Sequence, residues 1–326
     1  MALRPATPTR FEPGMSDAVS PPPLSLSDLE ATPKRARRER TVRVVLQAAA
    51  MISVVVSGAI VFSLLFEAWD FMVNVDWSAV WSTGWFPRNG IYDIKTLIVA
   101  SLIVTGIAML VATPLGLGAA IFLSEYANPR VRRVLKPMLE VLAGIPSVVL
   151  GFFALLWISP NLVQNAFQSA NRGNLMAAGI GVGILTIPLV ASISEDAMQA
   201  VPNSLREASA GLGARKVTTS IQVVVPAAIS GLAAALIVAV SRALGETMVV
   251  FIAGGAGDTA LYTDNPIDGG LTMTAAMASL ASGTDAVVGE GLTFPSLFFV
   301  GLVLFLITFG LNIIADRFVR RVREVY

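Results

Sequence analysis

The chain contains no cysteine and no histidine. Disulfides, thiolate or imidazole metal sites and histidine-based acid/base catalysis are therefore outside its chemistry. No nucleophile–base motif takes their place, so neither a catalytic residue nor a metal-ligand set is expected. Charge is also scarce. Only 14% of the 326 residues are Asp, Glu, Lys or Arg, and the net charge of +1 is too small to attract a polyanion such as nucleic acid. Hydrophobic residues make up 55% of the chain and the mean hydropathy is +0.72. Those values lie outside the range of soluble domains and name the lipid bilayer as the solvent.

Residues 1–41 hold seven prolines and end near "KRARRER". Such a segment has too little apolar surface to bury a core and reads as a disordered cytoplasmic tail. Six apolar runs follow, at about 42–66, 96–123, 138–158, 175–193, 227–253 and 294–315. Each approaches the roughly 20 residues that a hydrocarbon core demands. Cytoplasmic connections retain Lys and Arg. Counted on that basis, the tail, the loops 124–137 and 194–226 and the C-terminus carry nineteen such residues, against three (Arg88, Lys95 and Arg172) on the opposite side. The reading is an all-α, multi-pass membrane protein with six spans and both ends in the cytoplasm. Trp69, Trp77, Trp81, Trp85 and Trp157 fall at the outer ends or in the outer loop, where amphipathic rings prefer the headgroup layer. The spacing of Trp77, Trp81 and Trp85 fits a short interfacial helix, or else packing within that loop.

Small and kinking residues recur inside the spans. "GIGVG", Gly179 to Gly183, lies within a span with no strand before it, so it reads as close helix packing rather than a dinucleotide loop. "GIPS" places Gly144, Pro146 and Ser147 in the third span, as a kink or as the lining of a pathway. The loop 194–226 is long for a simple connection. Ser204 and Glu207 have capping-box spacing, Gly211 and Gly213 suit a helix end, and a second helix leads to Pro226. No G-x-x-x-x-G-K-[ST] run is present, so this chain does not itself cradle a nucleotide, and no cofactor is expected on it.

Glu207, Ala208, Ser209, then Gly213, then Val223, Val225 and Pro226 resemble the E-A-A, three residues, G, nine residues, I-x-L-P signature of bacterial ABC importer permeases. "SRALGETMVV", "GLGAAIFLSEYANPRVRRVLKPMLEVLAGIPSVVLGFFAL" and "RRVREVY" narrow the resemblance to the PstC-type permease of phosphate ABC importers, from about residue 42 to the C-terminus. The PstA-type partner permease shares part of this pattern. The resemblance implies a type I importer fold in the bacterial cytoplasmic membrane. It also implies a PstA-type partner, two PstB-type ATPase subunits holding ATP and Mg, and an external PstS-type phosphate-binding protein. Glu207, Ala208, Gly213 and Pro226 would then couple the permease to the ATPase.

Arg242 and Glu246 stand in the fifth span, four residues apart, where they share a helix face. An isolated arginine at mid-span costs roughly 2.5 to 3.5 kcal/mol on insertion scales. One reading makes the two a charge-balancing structural pair. The other makes Arg242 a fork of donors for phosphate oxygens, with Glu246 as the competing partner that lets the anion leave and Thr247 beside them. The resemblance favours the second, since the matching Arg and Glu are the family's recognised transport residues. A permease for another oxyanion, or a channel or secondary transporter working without an ATPase, are the competing classes.

Overall fold

The computed structural model describes residues 33–81, 83–255, 260–282 and 291–322. The chain divides into two compact units, 1–60 and 61–326. The disorder expected of residues 1–32 falls outside the described residues. Residues 33–41, assigned to the same tail, are instead helical, because helix α1 runs Pro33–Asn74. A proline suits a first helical turn, where its missing N–H has no partner to lose. From Arg37 to Ile60 every side chain is exposed, and the exposed set includes Val45, Ile52 and Val55. Beyond Arg43 this exposed stretch is apolar on all sides among the described residues, the character of a helix suited to lipid or to another subunit.

In the second unit the end of α1 is buried. Phe71 stacks on Phe299 at 4.8 Å and meets Tyr92 edge-on at 5.0 Å. Tyr92 belongs to a hairpin of β1 (Trp85–Phe86) and β2 (Ile91–Tyr92), whose turn closes at Gly90 with φ 72°. The single helix suggested by the tryptophan spacing does not form among the described residues. Only a 3-10 turn appears there, Ala79–Trp81, and Trp85 lies in β1 at 3% exposure, so packing is what governs Trp85.

Helix α2, Ile94–Ile121, begins at Asp93, whose carboxylate accepts from the Lys95 amide (3.2 Å) and the Thr96 hydroxyl (2.6 Å). It continues through a wider π turn to Tyr126. Helix α3 is Pro129–Ala143 and α4 starts at Ser147, extending through π turns to Ala166. Helix α5, Leu175–Gln199, is capped by Asn174, which accepts from the Ala177 amide at 2.7 Å. It packs against α2 through Gly116, Gly179 and Gly183, the small-residue packing read from the sequence. Helix α6 is Asn203–Gly211, α7 is Lys216–Ala227, α8 is Ile229–Leu244 and α9 is Met248–Ala253. Helices α10 (Met273–Ala281) and α11 (Thr293–Val322) complete the described part.

Five helices are long and apolar enough to cross a membrane, and a sixth arises if α7 and α8, bent by 72°, count as one span. Two expected spans are redrawn. The third, placed at 138–158, straddles a break, and the membrane-length helix is Ser147–Ala166. Pro146 removes an N–H and disfavours helical geometry at Ile145, while hydropathy alone sees one greasy run. The fifth, placed at 227–253, is interrupted at Gly245–Thr247. The connection between α9 and α11 also contains α10, with Met273, Thr274, Ala275, Ala276 and Leu280 buried.

Candidate functional site

The interruption of the fifth span falls on Glu246, and Arg242 stands in the last turn of the helix before it. Helix α8 tightens as it ends, with the Gly245 amide donating to the Ser241 carbonyl (3.2 Å) and the Glu246 amide to the Ala243 carbonyl (3.3 Å). The chain restarts after Thr247, whose carbonyl accepts from the Phe251 amide at 2.8 Å. Irregular backbone at membrane depth survives only where protein or a wet cavity satisfies its polar groups. Here the Thr274 hydroxyl donates to the Glu246 carbonyl at 2.8 Å, and the Thr247 hydroxyl donates to the Gly245 carbonyl at 3.3 Å.

Arg242 and Glu246 are close but not locked. Their nearest approach, Nη2 to Oε2, is 3.7 Å, longer than a hydrogen bond. The Glu246 side chain is 4% exposed and that of Arg242 is 54% exposed. The carboxylate is therefore held in the protein while the guanidinium projects from the chain with most of its donors uncommitted. That geometry suits a cation offered to an anion and returned afterwards to a fixed counter-charge.

Sequence reasoning missed the groups behind the break. Thr272 caps α10, and its hydroxyl lies 3.3 Å from that of Thr274; the Met273 amide donates to Ser101 Oγ on α2 at 3.0 Å. "LTMTAAMASLA" is an apolar run of the length typical of a buried or re-entrant helix rather than a span, and that is the signal that was open to reading.

Gly144, Pro146 and Ser147 form the other break. Gly144 closes α3 by donating to the Glu140 and Val141 carbonyls, and Pro146 precedes α4. The two broken segments meet through the helices that follow them. A Cβ built on Gly151 of α4 would lie 3.0 Å from Ile252 Cδ1 and 3.1 Å from the Met248 carbonyl of α9.

The loop 194–226 folds as helix, turn, helix. The capping box expected at Ser204 does not form: the cap position is Pro202, two residues earlier, and it has no side-chain cap, since the proline presets the entry and has no N–H to satisfy. The helix end is as read. Gly213 has φ +78°, its amide donates to the Ala210 carbonyl (2.9 Å), and the Ala214 amide donates to the Ser209 carbonyl (3.1 Å). This is a left-handed C-terminal cap. No atom lies within 4 Å of a Cβ built at Gly213, so the position requires glycine for its backbone handedness rather than for space. Ser209 and Thr219 hydroxyls, 2.8 Å apart, tie α6 to α7. Glu207, Ala208, Gly213 and Pro226 lie at least partly open to solvent, and Leu212 at the tip is 90% exposed.

At the same end of the unit α3 is pinned to α5 by charge. Fully buried Glu195 meets Arg132 Nε at 2.8 Å and Lys136 Nζ at 3.2 Å, and Lys136 also meets Asp196 at 3.1 Å. Burial pulls the Lys136 ammonium toward a lower pKa, but the two carboxylates together outweigh it and hold the value above the ordinary one.

Residues 112–324 match the family described as "Binding-protein-dependent transport system inner membrane component". The chain is 35% identical over 257 residues to the "Probable ABC transporter permease protein YqgH" of Bacillus subtilis, covering 78% of this chain and 79% of that one. It is 32% identical over 322 residues to the "Phosphate transport system permease protein PstC" of Mesorhizobium japonicum, covering 92% and 96%. In fold it is similar to a chain of the MetNI methionine ABC transporter in an inward-facing conformation, with TM-score 0.52 and 19% identity over 71% of this chain and 94% of that one. The chain therefore belongs to the binding-protein-dependent transport inner membrane components, an all-α, multi-pass permease built on the type I ABC importer fold.

Proposed function

We propose that this chain is the PstC-type permease subunit of a bacterial phosphate ABC importer and that Arg242 is its anion contact. The observation that carries the reading is the half-exposed guanidinium at a break in a span, 3.7 Å from a buried carboxylate. Phosphate must shed water to pass an apolar bundle, and a preformed cation lowers that barrier. The planar fork of Arg242 fits two phosphate oxygens at once. Glu246 then reclaims the cation, which keeps the site from trapping its cargo. Likeness to PstC permeases over most of the chain supports the substrate. On this reading the chain is not itself catalytic. ATP and Mg belong to two PstB-type ATPase subunits gripping Glu207, Ala208, Gly213 and Pro226, a PstA-type permease completes the passage, and a PstS-type protein delivers phosphate. In vesicles holding the assembled importer and its binding protein, phosphate should drive uptake and ATP hydrolysis while sulfate and molybdate do not. Equal stimulation by molybdate would overturn the substrate assignment.

The charge count further supports a cytoplasmic-membrane orientation with both ends inside. The native chain has no thiol, so a single cysteine at Asp264, in the connection before α10, is a clean reporter. It should react with an impermeant reagent added outside cells whose outer layers admit it. Reaction only after lysis would reverse the orientation.

A further inference from the structure

Arg206 lies on α6 beside Glu207, but its side chain turns inward, and it is held from three directions. Nη1 donates to the Val201 carbonyl at 2.7 Å and, at 3.4 Å, to the Asn203 side chain. Nη2 donates to the Met198 carbonyl at 2.8 Å and to Glu125 Oε1 at 2.8 Å, and Nε faces both oxygens of the same carboxylate at 3.3 and 3.5 Å. Met198 is in the last turn of α5, where carbonyls lack intrahelical partners and a cation is favoured. Glu125, with 6% of its side chain exposed, is in the π turn that ends α2. One guanidinium thus joins α6 to the ends of two long helices.

The fastening is stiff on both sides. Around it Ala120, Leu123, Met198, Val201 and Val224 are all buried. Above it α2 and α5 interlock through their glycines, and α5 reaches the break directly: a Cβ built on Gly181 would lie 3.0 Å from Val249 Cγ1 on α9, three residues past Glu246. The outward side of α6 meanwhile stays free, with Glu207 and Ala208 exposed and Leu212 beyond its end. A pull on that outward side has a short packed route to Gly245–Thr247.

We propose that Arg206, clasping Glu125, is the positioning residue that makes α6 move as one body with α2 and α5, so that ATPase closure reaches the break at Glu246. The proposal rests on the reading of this loop as the ATPase contact. Lysine would retain the charge but not the fork that reaches a carboxylate and two carbonyls together.

The test uses the assembled importer in vesicles, with a single cysteine replacing Met248, the partly exposed residue that opens α9 directly after the break. Its modification rate is measured with and without ATP plus vanadate, a readout independent of the transported anion. The rate ratio should be about fivefold or more with Arg206 present, the lower end of usual coupling strengths. It should fall to about one in Arg206→Met, be intermediate in Arg206→Lys, and be intermediate in Glu125→Gln, which keeps both carbonyl bonds, while the ATPase still co-purifies. An unchanged ratio in Arg206→Met overturns the proposal. Should that variant fail to assemble, an unchanged ratio in both milder variants overturns it instead. Loss of phosphate uptake with the thiol response intact would count against the substrate reading alone.

Discussion

Arg242→Gln is expected to abolish phosphate uptake by an importer that still assembles. Two charge-assisted hydrogen bonds to phosphate, at about 1.5 to 3 kcal/mol each, amount to a loss of about a hundredfold or more in passage rate. Assembly should survive because the Arg242 side chain is 54% exposed and makes no hydrogen bond to Glu246, so removing it strips away little packing. The double replacement, Arg242→Gln with Glu246→Leu, separates the two readings of the pair. A charge-balancing pair removed together is often neutral or stabilising, so a structural role predicts normal uptake. A pathway role predicts none, since the anion has lost its binding group. Arg242→Lys should keep partial activity, having the charge without the fork. Glu246→Gln should slow release rather than entry. Radioactive phosphate uptake into vesicles carrying equal amounts of complex decides the matter, and normal uptake by the double variant would end the pathway reading.

Long apolar runs are the legible part of this fold: the runs at 96–123, 175–193 and 294–315 lie within helices α2 (with its π turn), α5 and α11. Where such a run breaks is less legible, because α2 and α5 carry Pro114 and Pro188 in their interiors without ending, whereas Pro146 splits the third run and Gly245 ends α8 inside the fifth. Arg242 and Glu246 stood out because two charges in an apolar run demand a reason. Their support did not, because Thr274 reaches the Glu246 carbonyl from 28 residues away and Ser101 reaches Met273 across 172. Arg206 read as one more positive loop residue, and only the folding-back of α6 onto Glu125, 81 positions earlier, gives it a task. Spacing along the chain reveals which residues share a helix face. It does not reveal which helix end lies beside another.

Gly183→Leu is expected to damage folding severely. A single Cβ at this position would sit 2.8 Å from Val111 Cβ and 2.9 Å from the Ala108 carbonyl of α2. The carbonyl is backbone in a continuous helix and cannot rotate aside. One turn earlier, a Cβ at Gly179 would meet Ile107 Cβ at 2.7 Å, and from the opposite helix a Cβ at Gly116 would meet Val190 Cβ at 2.7 Å. The α2–α5 seam is therefore close along its length, and leucine at its centre must part the helices. In lipid no hydrophobic force pushes parted helices back together, so van der Waals packing along the seam is the main attraction that holds them. Overpacking typically costs about 1 to 3 kcal/mol, and a clash with rigid backbone places this case at the upper end. A fall of about a hundredfold in the folded-to-unfolded ratio follows. Gly118→Leu supplies the control: it lies on helix α2 of the same seam, but nothing is within 4 Å of its Cβ. Detergent-solubilised complex should show intact yield and thermal stability for Gly118→Leu and a collapse of both for Gly183→Leu. Adding Val111→Ala should restore only part of the stability, because it trims the side chain but leaves the Ala108 carbonyl in place. Equal stability of the two leucine variants would mean that the seam tolerates separation and that the glycines are not what brings α2 and α5 together.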